Sequence, residues 1–223
     1  MNSIPQFLNV SFVIITIITI AQFYNASNRA KLPLLLIISW AILQLVIGLN
    51  GFYLYEMGVP PRFVLLILPP VVTIILTLTT TKGKLFVATL SAQKLTLLHT
   101  IRIPVELVLY GLACYKYIPT IMTFEGYNFD IVAGISAIVI YYYGYVKQKL
   151  STRTLIVWNV ACILLLLNIV IIAVLAAPTQ FQLLGFEQPN IAIAYFPYVW
   201  LPSVVVPLVL FSHLVSIKQL LQK

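Results

Sequence analysis

Charge is what this sequence has least of. Only 8% of its 223 residues are Asp, Glu, Lys or Arg, 13 basic and 5 acidic, against roughly a quarter in an ordinary soluble domain. That deficit excludes a soluble globular protein. Cysteine occurs only at Cys114 and Cys162, too seldom for a disulfide scaffold. No repeat, low-complexity tract or linker divides the chain. Intrinsic disorder requires low hydrophobicity, whereas 61% of these residues are hydrophobic and the mean hydropathy is +1.04. What fills the sequence is one apolar run after another, the composition of a polytopic membrane protein.

A transmembrane helix needs about 20 largely apolar residues, because the hydrocarbon layer is about 30 Å thick and a helix rises about 1.5 Å per residue. Seven segments meet this test, at 4–24, 32–55, 63–81, 95–117, 131–146, 155–177 and 193–217. The fifth is short, and is expected either to be extended by Asn128 and Phe129 or to sit where the bilayer thins. Runs such as 163–172 are apolar on every face, unlike the alternation of a transmembrane β-strand. The expected fold is all-α, a single seven-helix bundle.

Lys and Arg collect in short cytoplasmic loops. Arg29 and Lys31 follow the first span, Lys82, Lys84 and Lys94 the third, Lys147, Lys149 and Arg153 the fifth, and Lys218 and Lys223 the last. The alternate loops hold Glu56 with Arg62, Lys116 with Glu125 and Asp130, and Glu187. This asymmetry predicts an N-terminus outside and a C-terminus in the cytoplasm. Residues 1–6 carry no positive charge ahead of the apolar run, so the first helix is expected to stay rather than to be cleaved. The net charge of +8 is spread over the inner loops instead of forming one basic face. It reads as a topology signal with attraction to anionic headgroups, and no nucleic-acid partner is expected. Asn25-Ala26-Ser27 matches a glycosylation acceptor but falls on the inner side. Cys114 and Cys162 fall at different depths, which argues against a disulfide between them.

The chemistry concentrates on the fourth span. An ionisable side chain inside a bilayer costs at least about 2.5 to 3.5 kcal/mol, so it normally faces protein or water and finds a partner. His99, Arg102 and Glu106 share one helical face there, and Tyr110 continues the stripe. Arg102 and Glu106 are four residues apart, the spacing of a direct ion pair. Twelve residues, roughly 18 Å of rise, separate Lys94 from Glu106, which puts Glu106 near the bilayer middle and His99 near its inner boundary. Pro104 frees the Thr100 carbonyl and is expected to bend the helix beside the charges.

The seventh span carries Pro202 and Pro207, then His213 five residues before Lys218; His99 is likewise five residues from Lys94. The only two histidines are thus expected at similar depth. Gln44, Asn50, Asn159, Asn168 and Ser203 add polar groups that either line a shared cavity or make single interhelical hydrogen bonds of about 0.6 kcal/mol each. The segment 178–192, with Phe181, Leu183, Leu184 and Phe186, is read either as a lid over an outward pocket or as an interfacial connector.

Several identities are excluded. The last span has no lysine before Lys218 for a retinal Schiff base; there is no H-E-x-x-H for zinc; and Gly134-Ile135-Ser136 lacks the closing glycine of a serine-hydrolase elbow. Glu125, Asp130 and Glu187 are too scattered to argue for bound calcium.

The stretches R-I-P-V-E (102–106), M-T-F-E-G-Y-N-F-D-I (122–131), F-P-Y-V-W-L-P (196–202) and P-L-V-L-F-S-H-L (207–214) resemble motifs of a family of uncharacterised bacterial multi-pass membrane proteins. The likeness covers the C-terminal two thirds. It implies a bacterial inner (cytoplasmic) membrane location and transfers no activity. It also draws attention to Glu125, Asn128 and Asp130 as an outer-face element, although Asp130 at the start of the fifth helix suits a capping role opposite the helix dipole.

Three functions are compatible with these residues. The first is proton-coupled binding or transport of a small solute. There Glu106 is the titrating carboxylate, Arg102 its counter-ion or an anion anchor, and His99 and His213 a proton relay. Pro104, Pro202 and Pro207 are the bends between two arrangements. The second is a redox enzyme whose haem or transition metal is held by His99 and His213, two ligands without a clear third. The third is a non-catalytic subunit or sensor. No other cofactor is expected; the bilayer and a small molecule are the expected partners.

Overall fold

The computed structural model describes residues 4–54 and 61–222. Tyr55 at the end of the second expected span, Glu56 and Lys223 in the charge pattern, and residues 1–3 lie outside the described residues. Among these, the helices in chain order are α1 (Gln6–Ala26), α2 (Lys31–Leu49), α3 (Val64–Thr79), α4 (Thr81–Thr89), α5 (Ala92–Leu98), α6 (Arg102–Cys114), α7 (Asp130–Ile140), α8 (Thr152–Leu175) and α9 (Val206–Leu220). No strand occurs among the described residues.

Gln6–Ala26, Lys31–Leu49, Ala92–Cys114, Thr152–Leu175 and Leu201–Leu220 are each long and apolar enough to cross a membrane. The pair α3 and α4, bent by 88° at its break, makes a sixth when counted as one broken span, and Asp130–Val146 is a shorter apolar helix. The chain is an all-α membrane protein. Its outer surface agrees with that: α2 buries only Ala41, Gln44 and Gly48, one small or polar stripe, while Leu32, Leu35 and Leu36 are exposed. A helix that turns its smallest and most polar face inward and leucine outward is built for lipid.

Three features of the helices have local causes, and the first two depart from the sequence expectation. The third span ends earlier than residue 81, because the Thr79 and Thr80 hydroxyls bond back to the Ile75 and Leu76 carbonyls and Thr80 Oγ1 then caps the next helix by accepting from Gly83 N at 3.3 Å. Lys82 and Lys84 therefore lie on α4 rather than in a loop. The last span begins at Leu201 instead of 193 and opens with a π-helical stretch, Leu201–Val205. Pro207 has no N–H to return to the Ser203 carbonyl; Trp40 Nε1 donates to that carbonyl at 3.0 Å, and Trp200 Nε1 donates to Ala41 O at 2.8 Å. These two indoles clamp α2 onto the start of α9. Before Pro104 the helix does not break but tightens into a single 3-10 turn, His99–Ile101, between α5 and α6.

The fifth span is short for a reason of architecture. The 13 residues of α6 rise roughly 18 Å, yet Asp130 at the start of α7 bonds to Arg102 at the start of α6. Residues 115–129 therefore run back down the side of α6 without regular helix, apart from the 3-10 turn Thr120–Met122, and α7 starts inside the bundle. Met122, Thr123 and Asn128 of this returning segment are buried. Its backbone is held by Tyr127 N to Ile121 O at 3.1 Å and by Asn168 Nδ2 of α8, which donates to Tyr127 O at 2.7 Å. Non-helical backbone at membrane depth is tolerated where protein or a cavity surrounds it.

Around this arrangement α9 packs on α8, α5 and α3, and α6 on α7 and α1. A single apolar cluster through Phe12, Leu66, Leu98, Leu112, Leu166 and Val209 joins them. At one end of the bundle the α1–α2 turn, α4 and the end of α9 meet: Asn28 Nδ2 donates to Thr89 O at 2.7 Å, Lys94 Nζ to Asn25 O at 3.0 Å and Lys218 Nζ to Leu78 O at 2.6 Å. At the other end, Ile191 and Ala192 donate to Tyr117 O, and Gln188 Nε2 to Ala113 O.

Candidate functional site

The charged stripe of α6 turns into the bundle, where His99, Arg102 and Glu106 are each at most 2% exposed. Arg102 does not pair with Glu106. Its Nε donates to Asp130 Oδ2 at 2.6 Å and its Nη2 to Asp130 Oδ1, a two-point ion pair between α6 and α7. Nη2 also donates to the Cys162 carbonyl of α8 at 3.1 Å, and Nη1 meets His213 Nε2 of α9 at 3.3 Å. Since a guanidinium only donates, His213 Nε2 is the acceptor, and its Nδ1 carries the proton that it gives to Asn159 Oδ1 at 2.8 Å. Asn159 Nδ2 in turn donates to Leu155 O at 2.8 Å. One arginine thus ties four helices together.

Gly134 makes the close approach possible. A Cβ there would stand 2.8 Å from Ile103 Cγ1 and 3.1 Å from Ile103 N, so only glycine lets α7 come near enough to α6 for Asp130, one turn earlier, to reach Arg102.

Glu106 is left without a cation. Its Oε1 accepts from Asn128 Nδ2 at 2.6 Å, and Asn128 is oriented for this because its Oδ1 accepts from Asp130 N at 3.1 Å. The other oxygen, Oε2, is buried and has no hydrogen-bond partner among the described residues. Glu106 is among the residues that line a cavity of about 260 Å³. Arg102, Glu106 and Asp130 are the charged residues of its lining, and the remaining wall is apolar, including Ile67 and Val71 of α3, Leu167 and Val170 of α8 and Val205 ahead of α9.

The two histidines meet. Their rings stack with centroids 3.6 Å apart and planes 8° from parallel, and Trp158 lies edge-on to both at 5.7 and 5.6 Å. The geometry does not fit shared ligation of haem or a metal, because stacked rings leave no room for an ion between them and both His213 nitrogens are already engaged. Among the described residues no group of three His, Cys, Asp or Glu side chains is placed to hold a metal. Neither do these bonds form a proton relay to Glu106: Arg102 stands between Asp130 and His213, and a guanidinium does not give up its proton. His99, whose nitrogens have no hydrogen-bond partner among the described residues, contributes its ring face.

The other expected residues divide. Asn159 joins the network, but Gln44, Asn50, Asn168, Ser203 and Tyr110 are not in the cavity lining. Gln44 accepts from Tyr53 at 2.6 Å, Asn50 bonds back to Val46 O, Ser203 Oγ to Val199 O, and Tyr110 stacks on Phe124. Of the expected outer-face element only Glu125 is exposed; Asn128 and Asp130 are buried, because the returning segment carries them inward. Pro104 and Pro207 each sit at a helix irregularity, and Pro202 within one. The segment 178–192 contributes no residue to that wall; its Pro178, Thr179, Asn190 and Ile191 instead line a second pocket of about 180 Å³ with Tyr53 and Pro61, and it is tied down by Leu183 and Leu184 N to Leu175 O and Asn190 N to Ala176 O. The sequence reading missed Asp130 as the partner of Arg102. An acid opening an apolar helix, with no basic residue near it in sequence, was the available signal.

Compared with known families, residues 60–221 match the one described as a domain of unknown function, DUF8737. No curated protein and no solved structure matches the chain.

Proposed function

This chain belongs to the DUF8737 family, and from the site alone we propose that it binds, and moves across the membrane, a small solute in exchange for a proton held at Glu106. The carrying observation is the buried, unpartnered Oε2 of Glu106 beside a cavity. A carboxyl group in that setting is costly as a bare anion; it carries either a proton or a cation, and exchange between the two is the coupling. Arg102 and Asp130 neutralise each other and hold α6, α7, α8 and α9 in register, a positioning role shared with His213 and Asn159. In this reading the membrane is a bacterial inner membrane. The bent α3–α4 pair and residues 130–146 count as crossings, giving seven, with the N-terminus outside and the lysine-bearing end in the cytoplasm.

Infrared difference spectra of the reconstituted protein, recorded while pH is stepped, test the reading. A protonated-carboxyl band that titrates in the wild type is expected to vanish in Glu106→Gln. The fold of that variant survives, since the glutamine carbonyl still accepts from Asn128. A band unchanged in Glu106→Gln overturns it.

A non-catalytic structural role has one observation in its favour, a partner for each side-chain nitrogen of Arg102, and that network accounts for Arg102 and Asp130 without accounting for Glu106.

A further inference from the structure

The shape and charge of the cavity say more about the solute than Glu106 does alone. Ile67 and Val71 of α3 line it together with Leu167, Val170 and Val174 of α8. Leu167 lines the cavity and is also 42% exposed on the outer face of α8, the face that presents Leu164 and Ile171 at 62% and 57%. The cavity therefore reaches the side of the bundle between α3 and α8, where lipid lies, through an apolar wall. At its floor the charges do not balance. Arg102 and Asp130 cancel, and Glu106 is an acid in excess. The remaining titratable groups near this floor are His213 on α9, whose Nε2 is held by Arg102, His99, stacked face to face on His213, and Cys162 on α8, whose carbonyl is held by Arg102; none of them is bonded to Glu106.

We propose that the solute is a small lipophilic amine, an apolar body bearing one ammonium group, which enters sideways from the bilayer between α3 and α8 and seats its ammonium on Glu106 Oε2. This rests on the proton-exchange reading of Glu106. The exchange balances: the O–H bond at Oε2 breaks, its proton leaves to water, and the ammonium N–H takes its place as donor, so one proton is released for each cation bound. The apolar wall selects the body and the excess carboxylate selects the charge, which an alcohol of the same shape lacks.

The test uses the full chain in nanodiscs of zwitterionic phosphatidylcholine, in weakly buffered medium with a pH dye, titrated calorimetrically with cyclohexylammonium, cyclohexanol and methylammonium. Cyclohexylammonium is expected to bind at least about tenfold more tightly than either control, with release of a proton. Glu106→Gln is expected to lose that preference and the release while keeping the affinity for cyclohexanol. Leu167→Trp, a change at a half-exposed position that the fold tolerates, narrows the mouth and is expected to weaken both ring compounds about fivefold or more. Equal affinity for the amine and the alcohol in the wild type, or a preference for the amine that persists in Glu106→Gln, overturns the proposal. If the Glu106 carboxyl band titrates in the infrared while the amine shows no preference, the amine proposal falls and proton exchange stands; if the band is absent as well, both fall.

Discussion

Arg102 shows how far a single side chain's partners depend on the fold. Its spacing from Glu106 reads as an ion pair, yet the acid it holds lies 28 residues on, at Asp130. Breaking a buried ion pair by removing one partner leaves an uncompensated charge and costs about 3 to 5 kcal/mol. Asp130→Asn is therefore expected to lower the thermal unfolding midpoint of the purified protein sharply. Arg102→Met combined with Asp130→Leu is expected to recover most of the loss, and an Asp130→Asn protein as stable as the wild type would refute the pair's structural role. The histidines separate in the same assay. His99→Phe keeps the stacked ring and gives up no hydrogen bond, so a cost below about 1.5 kcal/mol is expected. His213→Phe strands Arg102 Nη1 and the Asn159 carbonyl, at about 1 to 3 kcal/mol for each unpaired group. At this scale the sequence showed which residues are unusual, His99, Arg102, Glu106 and His213, because an ionisable group in an apolar run stands out. It did not show who pairs with whom, because partners within one helix and partners across helices look alike until the chain's path is known.

Among the elements, α7 is the one that length alone misjudged. Its shortness reads as extension by Asn128 and Phe129 or as thinning of the bilayer, whereas the cause is that the chain between α6 and α7 turns back into the bundle and spends its reach there. Nothing in the composition of residues 115–129 announces this, since a polar-aromatic stretch such as Thr123 to Phe129 suits an interface equally well. Gly134 is the element-scale device that the arrangement needs, and it is open to test. Gly134→Ala places a Cβ against Ile103 Cγ1 and the Ile103 backbone nitrogen and is expected to cost about 1 to 3 kcal/mol, while Gly134→Leu overpacks the α6–α7 contact by about 3 kcal/mol or more. Because the same displacement pulls Asp130 away from Arg102, the Gly134→Leu and Asp130→Asn losses should be much less than additive in a double-mutant cycle. Full additivity would show that glycine serves some contact other than this one. The prolines were better read: Pro104 and Pro207 were legible as sites of helical irregularity, since a missing N–H is a local property, but that Trp40 takes the carbonyl left over by Pro207 depends on α2 lying alongside.

Over the whole molecule, the all-α character and the membrane-spanning helices were legible in composition and run length, which depend on the bilayer and hardly on tertiary packing. The cavity was not, because its walls come from α3, α6, α8 and α9 together, and their leucines, isoleucines and valines are indistinguishable in sequence from those facing lipid. Orientation is the global property most directly open to experiment. In a Cys114→Ser background, Lys84→Cys is expected to react with an impermeant maleimide only in inverted vesicles and Glu187→Cys only in right-side-out ones; the opposite pattern would reverse the topology. The bond between Arg102 and Asp130 also bears on biogenesis. With Glu106 protonated, each of α6 and α7, entering the bilayer alone during synthesis, would carry a bare charge at about 2.5 to 3.5 kcal/mol, while a hairpin of the two enters neutral. The translocation machinery should therefore hold α6 back until α7 has emerged, so that a nascent chain arrested before Asp130 exposes α6 to cleavage by protease and a longer one protects it.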